Sequence, residues 1–279
     1  MTDRHRTRVV VGVDTHKDFH VAHAKDHLGK QLGELKVPAD PDGYRRLLEW
    51  ARSLGRVEAF GIEGPGSYGA GLARYLTASG VKVLEVGRPN RQHRARHGKS
   101  DPADADAAAG AVLAGNALGV PKSGDGPVEA IRILHLTRAS AVKAKRSAII
   151  TMKGLLVTAP PELRERFKSL SAWKLIRACA ELPVVSHPST PAQSAGCALR
   201  ALAHRALALE AEAKALEVQI STLVRTTCSR LLDITGVGPE IAAMMLIAMG
   251  DNPNRLGSEA AFARICGVSP VDASSGRLI

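Results

Sequence analysis

Aromatic residues make up 3% of the 279-residue chain, too few for the stacked rings by which proteins hold unpaired bases. Cysteine is scarce as well. Its four copies, Cys179, Cys197, Cys228 and Cys266, stand far apart with no CxxC pair, which argues against a zinc ribbon or a disulfide framework and leaves buried, reduced thiols as the expectation. No apolar run comes near the roughly 20 residues needed to span a bilayer. The opening MTDRHRTR lacks the apolar core of a signal peptide, so no membrane association and a cytoplasmic location are expected. The last shortage is of acid: 27 Asp and Glu stand against 38 Lys and Arg, for a net charge of +11. That balance favours a polyanionic partner such as DNA, RNA or an acidic membrane surface, and charge alone does not choose among them.

What the chain does contain begins with Val9-Val10-Val11-Gly12-Val13, a continuous β-branched run that predicts a central strand buried on both faces and ended by Asp14. Further strands are expected over Phe19 to Ala24 and Gly29 to Val37, then a helix after Pro41-Asp42 with Tyr44, Leu47, Leu48 and Ala51 at helical spacing. VEAFGIEG predicts a strand ending near Glu63, Tyr68 to Ser79 a helix, VKVLEVG a strand, and the aspartate cluster after Lys99 the start of another helix. Three meandering strands followed by alternating helix and strand specify a mixed α/β sheet, in an order that resembles the RNase H-like nucleases. We expect this domain to occupy residues 1–120.

Past the Gly/Pro linker from Gly119 to Pro127 the sequence changes character. Arg132, Arg138, Lys143, Lys145, Arg146 and Lys153 fall in a helical pattern that holds no acid as far as Pro161, whereas a solvated helix face mixes signs. A second long helix carries Leu199, Leu202, Ala206, Leu209, Ala213, Leu216, Ile220 and Leu223 at alternating spacings of three and four, an apolar seam that predicts a helical hairpin or coiled coil within a region 125–230. In the remaining part, 231–279, LLDITGVGPEIAAMMLIAMG places a Gly-x-Gly-Pro turn between two short helices, with Pro239 suited to a first helical turn. Such a hairpin either offers backbone amides to a phosphate or is a plain interhelical turn.

Two-metal phosphoryl chemistry requires several carboxylates to converge on one spot. Asp14 and Glu63 end strands expected to be neighbours, and Asp101 and Asp104, three residues apart, share a helix face. Taken singly these acids read as a turn residue, a strand-end charge and a helix cap. Taken together they have the pattern of a metal site. Beside them RPNRQHRARHGK supplies Arg88, Arg91, Arg94, Arg96 and Lys99, cations suited to gripping a phosphate backbone while the acids hold metal against the reacting phosphate. His93 and His97 have the spacing of a metal pair, but among five cations a nucleic-acid contact is the expected role.

GVDTHKD, GIEGPGSYG, KSDPADADA, the basic helical region and ITGVGPEIAAMMLIAMGD with FARICGVSPVDASSG together resemble, in order and separation and over essentially the whole chain, the DEDD-type insertion-sequence transposases, the bridge-RNA-guided recombinases. The resemblance implies a RuvC-like domain using Asp14, Glu63, Asp101 and Asp104 with Mg²⁺ or Mn²⁺. It also implies DNA and a structured guide RNA as partners, a homo-oligomer (dimer or tetramer), and a serine nucleophile, Ser275 of ASSGR with Ser274 as the alternative, that would hold a cut DNA end covalently. The cations Arg132, Arg138, Lys143, Lys145 and Arg146 join the basic run as candidate nucleic-acid contacts. Asp106 falls outside the family pattern and is expected to face solvent. Relatives continue well beyond the serine, whereas Ile279 follows Ser275 by four residues, so the helix-hairpin-helix-type carboxy-terminal domain is expected to be incomplete and strand exchange impaired. Two other readings compete: an actin-like ATPase or sugar-kinase fold, which also opens with a strand and a GVD turn, and a non-catalytic nucleic-acid-binding fragment.

Overall fold

The computed structural model of the chain describes residues 7–87, 101–117, 119–252 and 255–269. They fall into two units, Met1–Gly126 with Ala248–Ile279, and Pro127–Ile247.

In the first unit, β1 (Arg8–Thr15), β2 (Phe19–Asp26), β3 (Gln31–Pro38), β4 (Arg56–Glu63) and β5 (Val83–Val86) form one sheet in the order β3-β2-β1-β4-β5. β1 pairs antiparallel with β2 and β2 with β3, while β1–β4 and β4–β5 are parallel. Tight turns permit the antiparallel pairs: the carboxylate of Asp26 accepts from the amides of Leu28 and Lys30, and Gly29 takes the positive φ of 87° that closes the turn. The parallel steps each enclose a helix, α1 (Pro41–Leu54) before β4 and α2 (Ala70–Ala78) before β5. The α1 helix begins where Asp40 Oδ1 accepts from the amide of Gly43 at 2.8 Å, followed by Pro41 in the first turn.

Alternation along the strands gives the sheet two unlike faces. Val9, Val11, Val13, Ala22, Ala24, Phe60 and Ile62 pack with Leu47, Leu48 and Ala51 of α1 and Leu72 and Leu76 of α2. The opposite face carries Val10, Gly12, Asp14, Ala59, Gly61 and Glu63, and is covered by α3 (Asp101–Leu113). The mixed sheet with its helices is that of an RNase H-like α/β domain, followed by helices.

On the α1 face His20 is fully buried, stacked on Tyr44 with ring centroids 5.7 Å apart, and neither ring nitrogen has a hydrogen-bond partner. Burial, with His16 adding to it, holds its pKa below the ordinary histidine value of 6.5. The unfolded chain therefore binds a proton that the folded chain refuses. This contribution to stability is intact above about pH 6.5 and is lost as pH falls from there through the folded pKa, at a slope of at most about 1.4 kcal/mol per pH unit. His20→Phe, which keeps an aromatic ring against Tyr44, is expected to flatten the decline in melting temperature between pH 7.5 and 5.5. An equally steep decline in the variant would remove His20 as its source.

The second unit is helical: α4 (Pro127–Thr158), α5 (Pro161–Phe167), α6 (Ala172–Ala180), α7 (Pro191–Cys228), a 3₁₀ turn (Ser229–Asp233) and α8 (Pro239–Met249). α4 and α7 run antiparallel, as their cross-pairs show: Lys145 Nζ with Glu210, and Arg138 Nη2 with Glu217 Oε2 at 3.2 Å. One apolar cluster joins Ala148, Met152, Phe167, Leu175, Ile176, Leu199 and Ala203, and another joins Val128, Ile131, Ile220, Val224 and Ala243. The buried face of α7 is thus Leu199, Ala203, Ala206, Ala213, Ile220 and Val224, rotated from the expected seam. Leu202, Leu209, Leu216 and Leu223 are half-buried along its flank. The rotation has a physical cause, since Glu210 and Glu217 occupy seam positions and meet cations of α4 there. All four cysteines are free, but only Cys179 is buried, which pushes its thiol up to about 11; Cys197 and Cys228 are half-buried and Cys266 is exposed. Returning to the first unit, α9 (Glu259–Ile265) is capped by Ser258, and Asn252 accepts from the amide of Ser123 and donates to the carbonyl of Pro121. No described helix is long and apolar enough to cross a membrane.

Candidate active site

Asp14 lies near the end of β1, and the parallel register Gly12↔Gly61, Val13↔Ile62 makes Glu63 its counterpart at the end of β4. Thr15 Oγ1 donates to the backbone carbonyl of Glu63 at 2.8 Å, tying the two strand ends together. The other two acids arrive on α3, whose first turn holds Asp101 and Asp104, where carboxylates suit the positive end of the helix dipole. What lets α3 bring them in is the absence of side chains below it. A Cβ on Gly12 would stand 2.1 Å from the carbonyl oxygen of Ala105 and 2.2 Å from the amide nitrogen of Ala109, and one on Gly61 would stand 2.5 Å from Val112 Cγ2. Ala105, Ala108 and Ala109 form the buried side of α3, so small residues face glycine and the helix lies directly on the strands.

This packing puts one donor atom from each of Asp14, His16 and Asp101 within 4.8 Å of one another. His16 Nε2 is 3.1 Å from Asp14 Oδ2 and 3.4 Å from Asp101 Oδ2. Glu63 and Asp104 line an adjoining cavity of about 460 Å³, together with Lys25, Asp106, Val86 and Ala108. The Asp14 carboxyl titrates above the usual 3.8, first because it is buried and then because Asp104 and Asp101 repel its charge, with His16 opposing them. A divalent cation among these groups would relieve that crowding, and oxygen donors are what Mg²⁺ and Mn²⁺ take. His16 Nε2 is buried without a hydrogen-bond partner. The donor set therefore fits a divalent metal.

The remaining sequence candidates divide into three groups. The Asp106 side chain is 42% exposed but not without partners: its Oδ1 lies 2.7 Å from Lys25 Nζ and 3.3 Å from Nε2 of the buried His23. One position round the helix from Ala105, it overhangs β2, whose His23 and Lys25 point to the α3 side. Of the α4 cations, Arg132 pairs with Glu129, Arg138 with Glu217 and Glu240, and Lys145 with Glu210, whereas Lys143 and Arg146 are exposed. Arg88, Arg91, Arg94, Arg96, Lys99, His93 and His97 lie outside the described residues, as do Ser274 and Ser275. His16 is a functional residue that the sequence does not single out. Its only signal was its place two residues after Asp14 in DTHKD, where a polar residue reads as part of a turn.

A family model for transposases of the IS110 DEDD type matches residues 11–161, which takes in most of β1, all of β4 and α3, and all four acids. A second, for transposases of the IS116/IS110/IS902 family, matches residues 228–278. Comparison with curated proteins gives no match. With its carboxylates gathered at the ends of β1 and β4 under α3, and with both family models matched in order, the chain belongs to the IS110-type DEDD transposases.

Proposed function

We propose that this DNA transposase cuts and rejoins the strands of its insertion sequence under the guidance of a structured RNA, using a divalent-metal site and a serine nucleophile. The observation that carries the reading is the convergence of Asp14 and Asp101 beside His16, with Glu63 and Asp104 lining the adjoining cavity. Asp14, Glu63, Asp101 and Asp104 would hold Mg²⁺ or Mn²⁺, which when bound polarises a phosphate and stabilises a leaving oxygen. Ser275, with Ser274 as the alternative, would form an Oγ–P bond as one P–O bond of the DNA breaks. The serine proton is given up and the departing sugar oxygen takes one, so that the cut end stays attached to the protein until a second strand displaces it.

Phosphate binding would fall to Arg88, Arg91, Arg94, Arg96 and Lys99, which immediately precede Asp101 in sequence, and to the exposed Lys143 and Arg146 of α4. Arg132, Arg138 and Lys145 are further candidates, which within the helical unit also neutralise acids. Strand exchange needs at least two active sites, so we assign the working form to a dimer or tetramer, in the cytoplasm where its DNA is.

The test combines the full chain, RNA transcribed from the DNA flanking its gene, Mg²⁺, and paired donor and target duplexes. Recombinant product and a covalent protein–DNA adduct that are both lost in Ser275→Ala and in EDTA would establish the serine and the metal, and would overturn the expected impairment of strand exchange. Product that persists in Ser275→Ala would move the chemistry to Ser274 or to the acids alone. Product formed equally well without RNA would remove the guidance.

A further inference from the structure

We infer that His16 is a metal ligand, so that the ion at the end of β1 is bound through one imidazole nitrogen as well as carboxylate oxygens and the site prefers Mn²⁺ to Mg²⁺. The inference deepens the metal reading above and rests on it. Three observations point the same way. First, His16 Nε2 is a buried polar atom with no hydrogen bond, although two carboxylate oxygens are near it. A nitrogen placed there to hold the acids together would be expected to aim an N–H along one of those directions, because an unmade buried hydrogen bond costs stability.

Second, the spacing fits a shared ion. Two donors at adjacent corners of an octahedron, each about 2.1 Å from the metal, are about 3 Å apart. The separations from Nε2 are 3.1 Å to Asp14 and 3.4 Å to Asp101. Third, the ring is held for the purpose. It rests on Phe19 with ring centroids 4.6 Å apart, and the Lys36 ammonium lies over the Phe19 ring, 3.6 Å from its centroid. The turn is closed by His16 N donating to Phe19 O at 3.0 Å, so strand pairing fixes where the imidazole starts from.

The chemistry separates the two ions. Mg²⁺ takes oxygen donors and keeps its waters, whereas Mn²⁺, which suits the same carboxylates, binds an imidazole nitrogen more tightly than Mg²⁺ does. Loss of the nitrogen should therefore weaken Mn²⁺ more than Mg²⁺. Mutation of a group that only supports a ligand would weaken both alike.

Mn²⁺ titrated into the full chain, followed by pulsed electron paramagnetic resonance of the loaded protein, tests this without any DNA. Modulation from a directly bound ¹⁴N is expected in the wild type and in His20→Phe, and is expected to vanish in His16→Ala and His16→Gln. Mn²⁺ affinity should fall about tenfold or more in both His16 variants, with a smaller loss for Mg²⁺, while melting curves show that the variants fold. Tight Mn²⁺ binding with no ¹⁴N modulation, or modulation that survives both His16 changes, would overturn the ligand assignment and leave the carboxylate site standing. Mn²⁺ affinity that is the same in wild type and Asp14→Asn would instead overturn the metal reading itself, and the role of His16 with it.

Discussion

Asp14→Asn is expected to melt at a higher temperature than the wild type in EDTA and yet to lose metal-dependent strand cleavage by about 100-fold or more. The two effects have one origin. The Asp14 side chain is 13% exposed, and burial together with Asp104 and Asp101 pushes its pKa above the usual 3.8. A carboxyl whose folded pKa is raised costs nothing while it is protonated in both states. Its cost grows as pH rises from about 3.8 and is complete above the folded pKa. Asparagine has the same shape and no charge, so it removes the cost and with it a ligand. Added Mg²⁺ or Mn²⁺ should raise the melting temperature of the wild type and leave the variant unmoved, and the gap between them in EDTA should close toward pH 3. A variant that melts lower than the wild type in EDTA at pH 7 would show that the charge of Asp14 holds the fold together.

The second large effect is expected from a single methyl group at Gly12. The atoms that its Cβ would meet at 2.1 and 2.2 Å belong to the backbone of α3, which cannot rotate out of the way as a side chain would. Gly12→Ala must therefore lift or slide the helix by about 1 Å, at a cost of roughly 1–3 kcal/mol for the overpacking. The site suffers more than the fold. Asp101 and Asp104 travel with α3 while Asp14 and Glu63 stay on the strands, and a misplacement of about 1 Å can cost on the order of 100-fold in rate. Gly110→Ala supplies the control, because Gly110 lies within the same helix with nothing within 4 Å of an added Cβ. It should stabilise the chain by roughly 0.5–1 kcal/mol and leave metal affinity alone. Wild-type Mn²⁺ affinity and cleavage in Gly12→Ala would contradict the close seating of α3 on β1.

The sheet and its acids were legible because the signals are local. A β-branched run that stops at an aspartate predicts a buried strand with a carboxylate at its end, and β1 is that strand; the DPAD spacing placed two acids on one face of α3 before any tertiary contact was known. His16 was not legible, since its significance lies in meeting Asp101, 85 positions away, and a turn histidine carries no periodicity. The same limit hid the partners of Asp106, which are alternate residues of β2, and the acids that answer the α4 cations. Beyond Glu129, which pairs with Arg132, α4 holds no acid and looks unneutralised from within its own sequence, but Glu210, Glu217 and Glu240 come from α7 and α8. Counting apolar residues along α7 favoured the leucines at 202, 209, 216 and 223 over the glutamates that hold seam positions. A charge at a seam position is read as a break unless its partner is known.

The pairing of α4 with α7 can also be read as a short word. At heptad steps α4 presents Ile131, Arg138, Lys145 and Met152, and α7, running the other way, presents Val224, Glu217, Glu210 and Ala203. The word is apolar, charged, charged, apolar on both strands of the text, and it does not match itself when shifted by one letter. A slip of one heptad would set Ile131 against Glu217 and Lys145 against Ala203, stranding two charges on apolar neighbours while keeping only one of the two ion pairs. Leucine at every position would read the same in any frame and leave the alignment of two helices of 32 and 38 residues to their connections alone. Two letters of charge in the middle of the word are enough to give it a single reading frame.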